Sequence, residues 1–267
     1  MNPLQKLTFL LTGLLFLSAG LVFGQKKNST HAHKLALVDS AQWRKDNYIV
    51  NRDSAFANPY FALQKLTGGN RRFTESRSIY PRQNPALIKK LASGQAPFAT
   101  IVGCSDSRVS AEILFDQGFG DLFIVRTAGQ VMAEASYGTL EYGFLALKTK
   151  LIVVLGHTNC GAVDAAIKRP ENPPGHIVSL INAIKPAAIA AKKMPGNVLD
   201  NAIRLNVINQ VNHLRQLEPV LSKNYEEGKL LIVGAVYDLG TGKVTFLKET
   251  LEHLPATAFA RHDITGK

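Results

Sequence analysis

The stretch "KLIVVLGHTNCGAVDAAIK", residues 150–168, decides the fold. Its first half is a continuous run of Leu, Ile and Val closed by Gly156, the pattern of a strand buried on both faces. From residue 160 the sequence reads as the opening of a helix. A fully apolar strand that runs straight into a helix predicts a βαβ unit and a parallel sheet covered on both sides.

Working outward, the same alternation repeats. "PFATIVGC" (97–104) and "DLFIVRTAG" (121–129) read as further strands, and "ASYGTLEYGFLALKT" (135–149) carries apolar and aromatic residues at helical intervals. Residues 58–76 open with Asn58 and Pro59, a cap and a first-turn residue, with Phe61, Leu63 and Leu66 near helical spacing. Residues 176–193 and 197–223 read as two longer helices. Residues 229–247 read as two strands joined at Gly240-Thr241-Gly242, which predicts an antiparallel edge. The expected fold is α/β: a mostly parallel central sheet of about four to five strands flanked by helices, preceded by an N-terminal helical arm. In such open sheets ligands bind beyond the C-terminal strand ends, where Cys104 and His157 fall.

The chain has 267 residues, 46% of them hydrophobic and 19% charged, enough for one sizeable domain with a full core. Its formal charge is +11. Lys and Arg are scattered in short pairs with no long basic run, so nucleic-acid binding is not indicated. Residues 1–24 hold one Lys and a long apolar stretch, with Val22 and Gly24 placed as at a cleavage site. They read as a signal peptide of an exported, periplasmic or secreted protein. An uncleaved anchor is the competing reading, since residues 7–23 are near the lower length for a span. After cleavage no stretch remains that would form a stable membrane span. Residues 25–54 form a polar arm, whose His31 and His33 read as solvated, and residues 55–267 form the α/β domain.

In an exported protein two cysteines would by default pair as a disulfide. The neighbours of Cys104 and Cys160 point elsewhere. His157 and Cys160 are three apart across a strand-to-helix turn, and Cys104 arrives from another strand end. Two thiolates and an imidazole are a standard zinc set with one position open, the catalytic pattern. Asp106 and Arg108 follow Cys104 at alternating positions and face the same way in an extended segment. Arg108 can then hold the Asp106 carboxylate in a charge-assisted fork, off the metal. Zinc brings its bound water to near-neutral pKa, which suits hydroxide attack on a small electrophilic carbon such as that of CO2. A cysteine phosphatase would need a longer Gly-rich loop between Cys and Arg. A Cys/His protease would leave the second cysteine unexplained.

"CSDSR" (104–108) followed by "GHTNCGA" (156–162) resembles the signature of the β-class carbonic anhydrases, and "GNRRF" (69–73) with the flanking strands extends the resemblance over roughly residues 55–250. The resemblance implies a zinc enzyme that interconverts CO2 and bicarbonate through zinc-bound hydroxide. Cys104, His157 and Cys160 would be the ligands, and Asp106 and Arg108 the dyad that orients the water. It implies that Gln95 hydrogen-bonds substrate. Phe123, Ala128 and Tyr142 would line an apolar pocket, the Tyr coming from a neighbouring subunit, and the Gly161 N–H would meet bicarbonate. It allows Asp106 to be a fourth zinc ligand in a closed state, and it implies a homodimer or homotetramer. Thr127 and Gln130 depart from the family pattern. Two alternatives stay open: hydrolysis of carbonyl sulfide or carbon disulfide on the same zinc, and zinc or anion binding without turnover. For the proton shuttle His176 and His213 qualify only by residue type.

Overall fold

Helix α1 (Pro59–Thr74) begins where the sequence places it: the Asn58 side chain accepts the Tyr60 N–H at 3.0 Å, and Pro59 occupies the first turn. The computed structural model describes residue 56 and residues 58–168, 173–252 and 254–255, all within the unit Val38–Lys267. The expected signal peptide 1–24, the expected arm 25–54, His31 and His33 lie outside the described residues. The face that α1 buries is Tyr60, Leu63 and Leu66, whereas Phe61 is exposed, a correction to the expected core stripe. The stripe follows i, i+3, i+6, and Phe61 lies one residue, about 100°, off that line.

After α1 come α2 (Pro85–Leu91), β1 (Ala99–Cys104), α3 (Ala111–Leu114) and β2 (Leu122–Thr127). A 3-10 turn at Ala128–Gln130 leads to α4 (Glu134–Leu145), β3 (Leu151–His157) and α5 (Gly161–Lys168). The chain continues through α6 (Ile177–Ala191), α7 (Val198–Arg215), α8 (Leu221–Glu226), β4 (Leu231–Tyr237), β5 (Val244–Phe246) and α9 (Lys248–Leu251). The helix expected over 197–223 is therefore two helices. Pro219 has no N–H to donate, and the residue before it is biased away from helical angles, so α7 stops and α8 starts afresh.

The sheet runs in the order β2-β1-β3-β4-β5. The first four strands are parallel, and β5 pairs antiparallel with β4. Every residue of β3 is buried, as the apolar run from Leu151 to Gly156 requires. Alternate strand residues serve two cores. Ile101, Val153 and Val233 join Leu63, Leu66 and Phe115 on one side. Val102, Ile152, Val154 and Ile232 join Leu140, Val207 and Leu214 on the other. Among the described residues no helix is long and apolar enough to cross a membrane.

The strand order fixes where chemistry can happen. From β1 the chain moves to β2 on one side, then crosses back to β3 on the other. The loops leaving β1 and β3 diverge at that reversal and open a crevice beyond their C-terminal ends. Cys104 ends β1 and His157 ends β3.

Candidate metal centre

Cys104, His157 and Cys160 meet in that crevice. Their ligand atoms all lie within 4.8 Å of one another, and all three side chains are buried. Both cysteines are free thiols, so the default disulfide does not form. Cys160 reaches the site through a tight turn after β3. Asn159 has φ of 55°, the left-handed region that Asn tolerates better than most residues. The Thr158 N–H donates to Tyr237 O at 2.9 Å, and Thr158 Oγ1 accepts from Leu239 N at 3.0 Å, tying the turn to the end of β4.

The imidazole is oriented for ligation. His157 Nδ1–H donates to Thr158 O at 2.8 Å, which leaves the Nε2 lone pair facing the sulfurs. Nε2 is buried with no hydrogen-bond partner. An orphaned buried acceptor beside two thiols is costly unless something electrophilic sits there. The donor set S, S, N fits zinc. Cys104 Sγ accepts the Gly129 N–H at 3.3 Å, a bond that favours thiolate.

Charge in the cluster follows from this packing. The Cys104 thiol is lowered to about 3, chiefly by the hydrogen bond from Cys160, with His157 and the Gly129 and Asp106 backbone assisting against burial. Cys160 is pushed up by the same bond and by burial. The His157 imidazole lies above its ordinary value: burial opposes the charge, but the neighbouring Cys104 sulfur and the bond to Thr158 O outweigh it.

Asp106 and Arg108 form the fork that the sequence suggests. Asp106 Oδ1 accepts from Arg108 Nε and from its backbone N–H, both at 2.9 Å, and Oδ2 accepts from the Arg108 terminal nitrogen at 2.6 Å. The guanidinium holds the carboxyl well below the usual carboxylate range. Oδ2 also lies 3.8 Å from His157 Nε2, so the carboxylate stands at the edge of the cluster.

The residues assigned to substrate divide into two groups. Ala128 follows Thr127, which pairs with Cys104, and precedes Gly129, which bonds the Cys104 sulfur; it borders the centre. Gly161 opens α5 next to Cys160, and a Cβ placed on it would meet nothing within 4 Å. Phe123 and Tyr142 pack against each other, ring centres 6.2 Å apart, but away from the cluster. Phe123 pairs with Thr100, four residues before Cys104, roughly 13 Å down the strand. Gln95 is exposed and precedes β1 at that same end. His176 and His213 are both exposed, and His213 packs beside Tyr137.

Sequence reasoning passed over Arg126. Its Nε donates to Cys104 O at 2.9 Å and its terminal nitrogen to Asp106 O at 2.7 Å. The signal was a lone cation at the end of an otherwise apolar strand. A separate cavity of about 250 Å3 lies between α1 and the loop before β2. Its carboxylates are matched internally, Asp116 by Arg72 and Asp121 by Arg82.

Comparison with known proteins gives a consistent result. The sequence pattern of the carbonic anhydrase family matches residues 99–244. Carbonic anhydrase 2 of Mycobacterium tuberculosis is 39% identical over 189 residues, spanning 70% of this chain and 91% of that protein. The β-carbonic anhydrase of Coccomyxa, solved with acetazolamide, superposes with a TM-score of 0.56 at 30% identity, covering 69% of this chain and 86% of that one. A tetrameric β-carbonic anhydrase of Sordaria macrospora gives 0.56 at 25% identity, over 70% and 95% of the two chains.

Proposed function

This chain belongs to the carbonic anhydrase family, in its β class, and from that premise we propose that it hydrates CO2 reversibly at a zinc ion held by Cys104, His157 and Cys160. The observation that carries the reading is the convergence of those three donors within 4.8 Å, with the Asp106–Arg108 fork at their edge. Bound zinc would act as a Lewis acid that brings the ionisation of water toward neutrality.

The chain's own residues supply the rest. The Asp106 carboxylate accepts a hydrogen bond from the reacting water and aims it at CO2. Arg108 keeps Asp106 ionised and turned toward itself, which is the arrangement opposite to a closed state with Asp106 on the metal. The Gly129 N–H and Thr158 O hold the Cys104 sulfur and the His157 ring in place. Ala128 supplies apolar wall, and the Gly161 N–H, an orphan donor at a helix start, faces the bicarbonate.

Gln95, Phe123 and Tyr142 sit too far along the sheet to serve this chain's own centre. We assign them to the centre of a second copy, in a homodimer or homotetramer. Tyr142 and Leu145 are about half exposed on α4, next to the sheet-edge strand β2, and offer that surface. The apolar segment 1–24 supports export to the periplasm or beyond.

Stopped-flow CO2 hydration on the purified protein, with zinc assayed in the same sample, tests the reading. Activity that tracks zinc is expected, with Asp106→Asn keeping its zinc and losing at least tenfold in kcat. Full activity of Asp106→Asn would refute the role given to Asp106. Faster turnover of carbonyl sulfide than of CO2 would replace the substrate.

A further inference from the structure

The segment that carries both Cys104 and Asp106 is held from one side only. Pairing of β1 with β3 ends at Gly103↔Leu155, while pairing with β2 continues to Cys104↔Thr127. Beyond Cys104 the Ser105 N–H still donates to Thr127 O at 3.1 Å. The further hold comes from the same side, from Arg126 of β2, whose guanidinium reaches the carbonyls of Cys104 and Asp106 together, at 2.9 and 2.7 Å. Asp106 O also accepts the Val109 N–H at 3.0 Å, which closes the turn carrying Arg108.

We infer that Arg126 is a positioning residue for the reaction: by spanning the Cys104 and Asp106 carbonyls it fixes the Asp106 carboxylate relative to the metal ligands. The inference rests on the metal-centre reading above. Arg126 is exposed and its charge is not spent on an acid, since among the described residues it makes no ion pair. A solvated surface Arg has no reason to place two separate donors on carbonyls two residues apart. The planar fork spans that gap, whereas a Lys ammonium is a point charge on a flexible stem and cannot span both carbonyls. Charge-assisted bonds of this kind are about twice as strong as neutral ones. Catalytic geometry is sensitive on this scale, because a shift of about 1 Å in a supporting group costs on the order of a hundredfold in rate.

The test uses Arg126→Ala and Arg126→Lys in the full chain. In the metal-free protein the reaction of the buried thiols with a water-soluble thiol reagent should speed up several-fold in Arg126→Ala, and added guanidinium ion should slow it again. In the zinc-loaded protein kcat should fall on the order of 10–100-fold, as for other groups that support metal ligands, with KM little changed. Guanidinium ion should restore part of that loss, and Arg126→Lys should lie between. Because Arg126 acts through Asp106, adding Arg126→Ala to Asp106→Asn should cost nothing further. Losses that simply multiply in the double variant, or thiol reactivity and kcat both equal to wild type, would overturn the inference. If Arg126→Ala does not fold, the same comparisons with Arg126→Lys decide. If the wild-type protein fails to hydrate CO2, the functional reading falls, and the metal-free thiol measurement still judges Arg126.

Discussion

At the scale of single residues the centre is a set of oriented lone pairs. The Thr158 carbonyl selects the tautomer that bares His157 Nε2, and Gly129 selects thiolate at Cys104. Removing one donor should therefore remove the metal. Cys160→Ser or His157→Ala is expected to lower zinc affinity by two orders of magnitude or more, read by competition with a chromogenic chelator; stoichiometric zinc in either variant would contradict the ligand set. Arg108 sets the charge of Asp106. Because the Asp106 carboxyl is depressed in the folded protein, its contribution to stability is full above the ordinary Asp value near 3.9. That contribution is lost as pH falls through the lowered folded value. Arg108→Gln should thus raise the Asp106 pKa toward the ordinary range, as seen in carboxyl NMR titration. The stability gap to wild type should be present at pH 6 and shrink toward pH 3. A gap that grew on acidification would have the wrong sign. These residues were legible in the sequence because thiols, imidazole and a carboxylate–guanidinium pair are chemically distinctive. Arg126 was not, since its work is done on backbone carbonyls, and a carbonyl leaves no mark in a sequence.

At the scale of elements, close approaches place the ligands. An added Cβ on Gly156 would meet Val207 Cγ2 at 2.6 Å, so α7 lies hard against β3 one residue before His157. Gly156→Ala should cost about 1–3 kcal/mol in urea unfolding, the usual penalty of overpacking, and should weaken zinc binding by displacing His157. Unchanged stability would mean that α7 yields freely. Asn70 ties three elements: its amide donates to Leu114 O and Gly242 O, at 3.0 and 2.9 Å, and its oxygen accepts the Val244 N–H at 2.8 Å. Asn70→Ala orphans those buried groups and should cost about 2–4 kcal/mol, the sum of several such bonds. The strands were legible because a doubly buried strand is a continuous apolar run, which β3 carries over residues 151–156 and β4 over 231–236. The Asn-Pro start of α1 was read, yet the same signal at Asn84-Pro85 opens α2, a helix too short for its periodicity to register. The break between α7 and α8 turns on Pro219 alone, which the apolar pattern around it masks.

At the scale of the whole molecule, the strand order matters most. The reversal between β1 and β3 brings residues more than fifty apart into one crevice, and alternating strands and helices in the sequence imply the parallel sheet but not which strands lie adjacent. The resemblance implies that Tyr142 comes from a neighbouring subunit, but the packing of Phe123 against Tyr142 at the far end of that sheet was hidden, because it depends on how β2 and α4 meet. Tyr142→Asp should shift sedimentation toward smaller species at micromolar protein and lower kcat/KM together. A monodisperse assembly identical to wild type would place the shared surface elsewhere. The chemistry of the crevice depends on what Cys104, His157 and Cys160 hold. Zinc-edge X-ray absorption of the purified protein tests that most directly. Two sulfur neighbours and one imidazole nitrogen, with a single further light atom, are expected. A zinc site with any other count of sulfurs, or a protein that purifies with its two cysteines joined and no zinc, would contradict it.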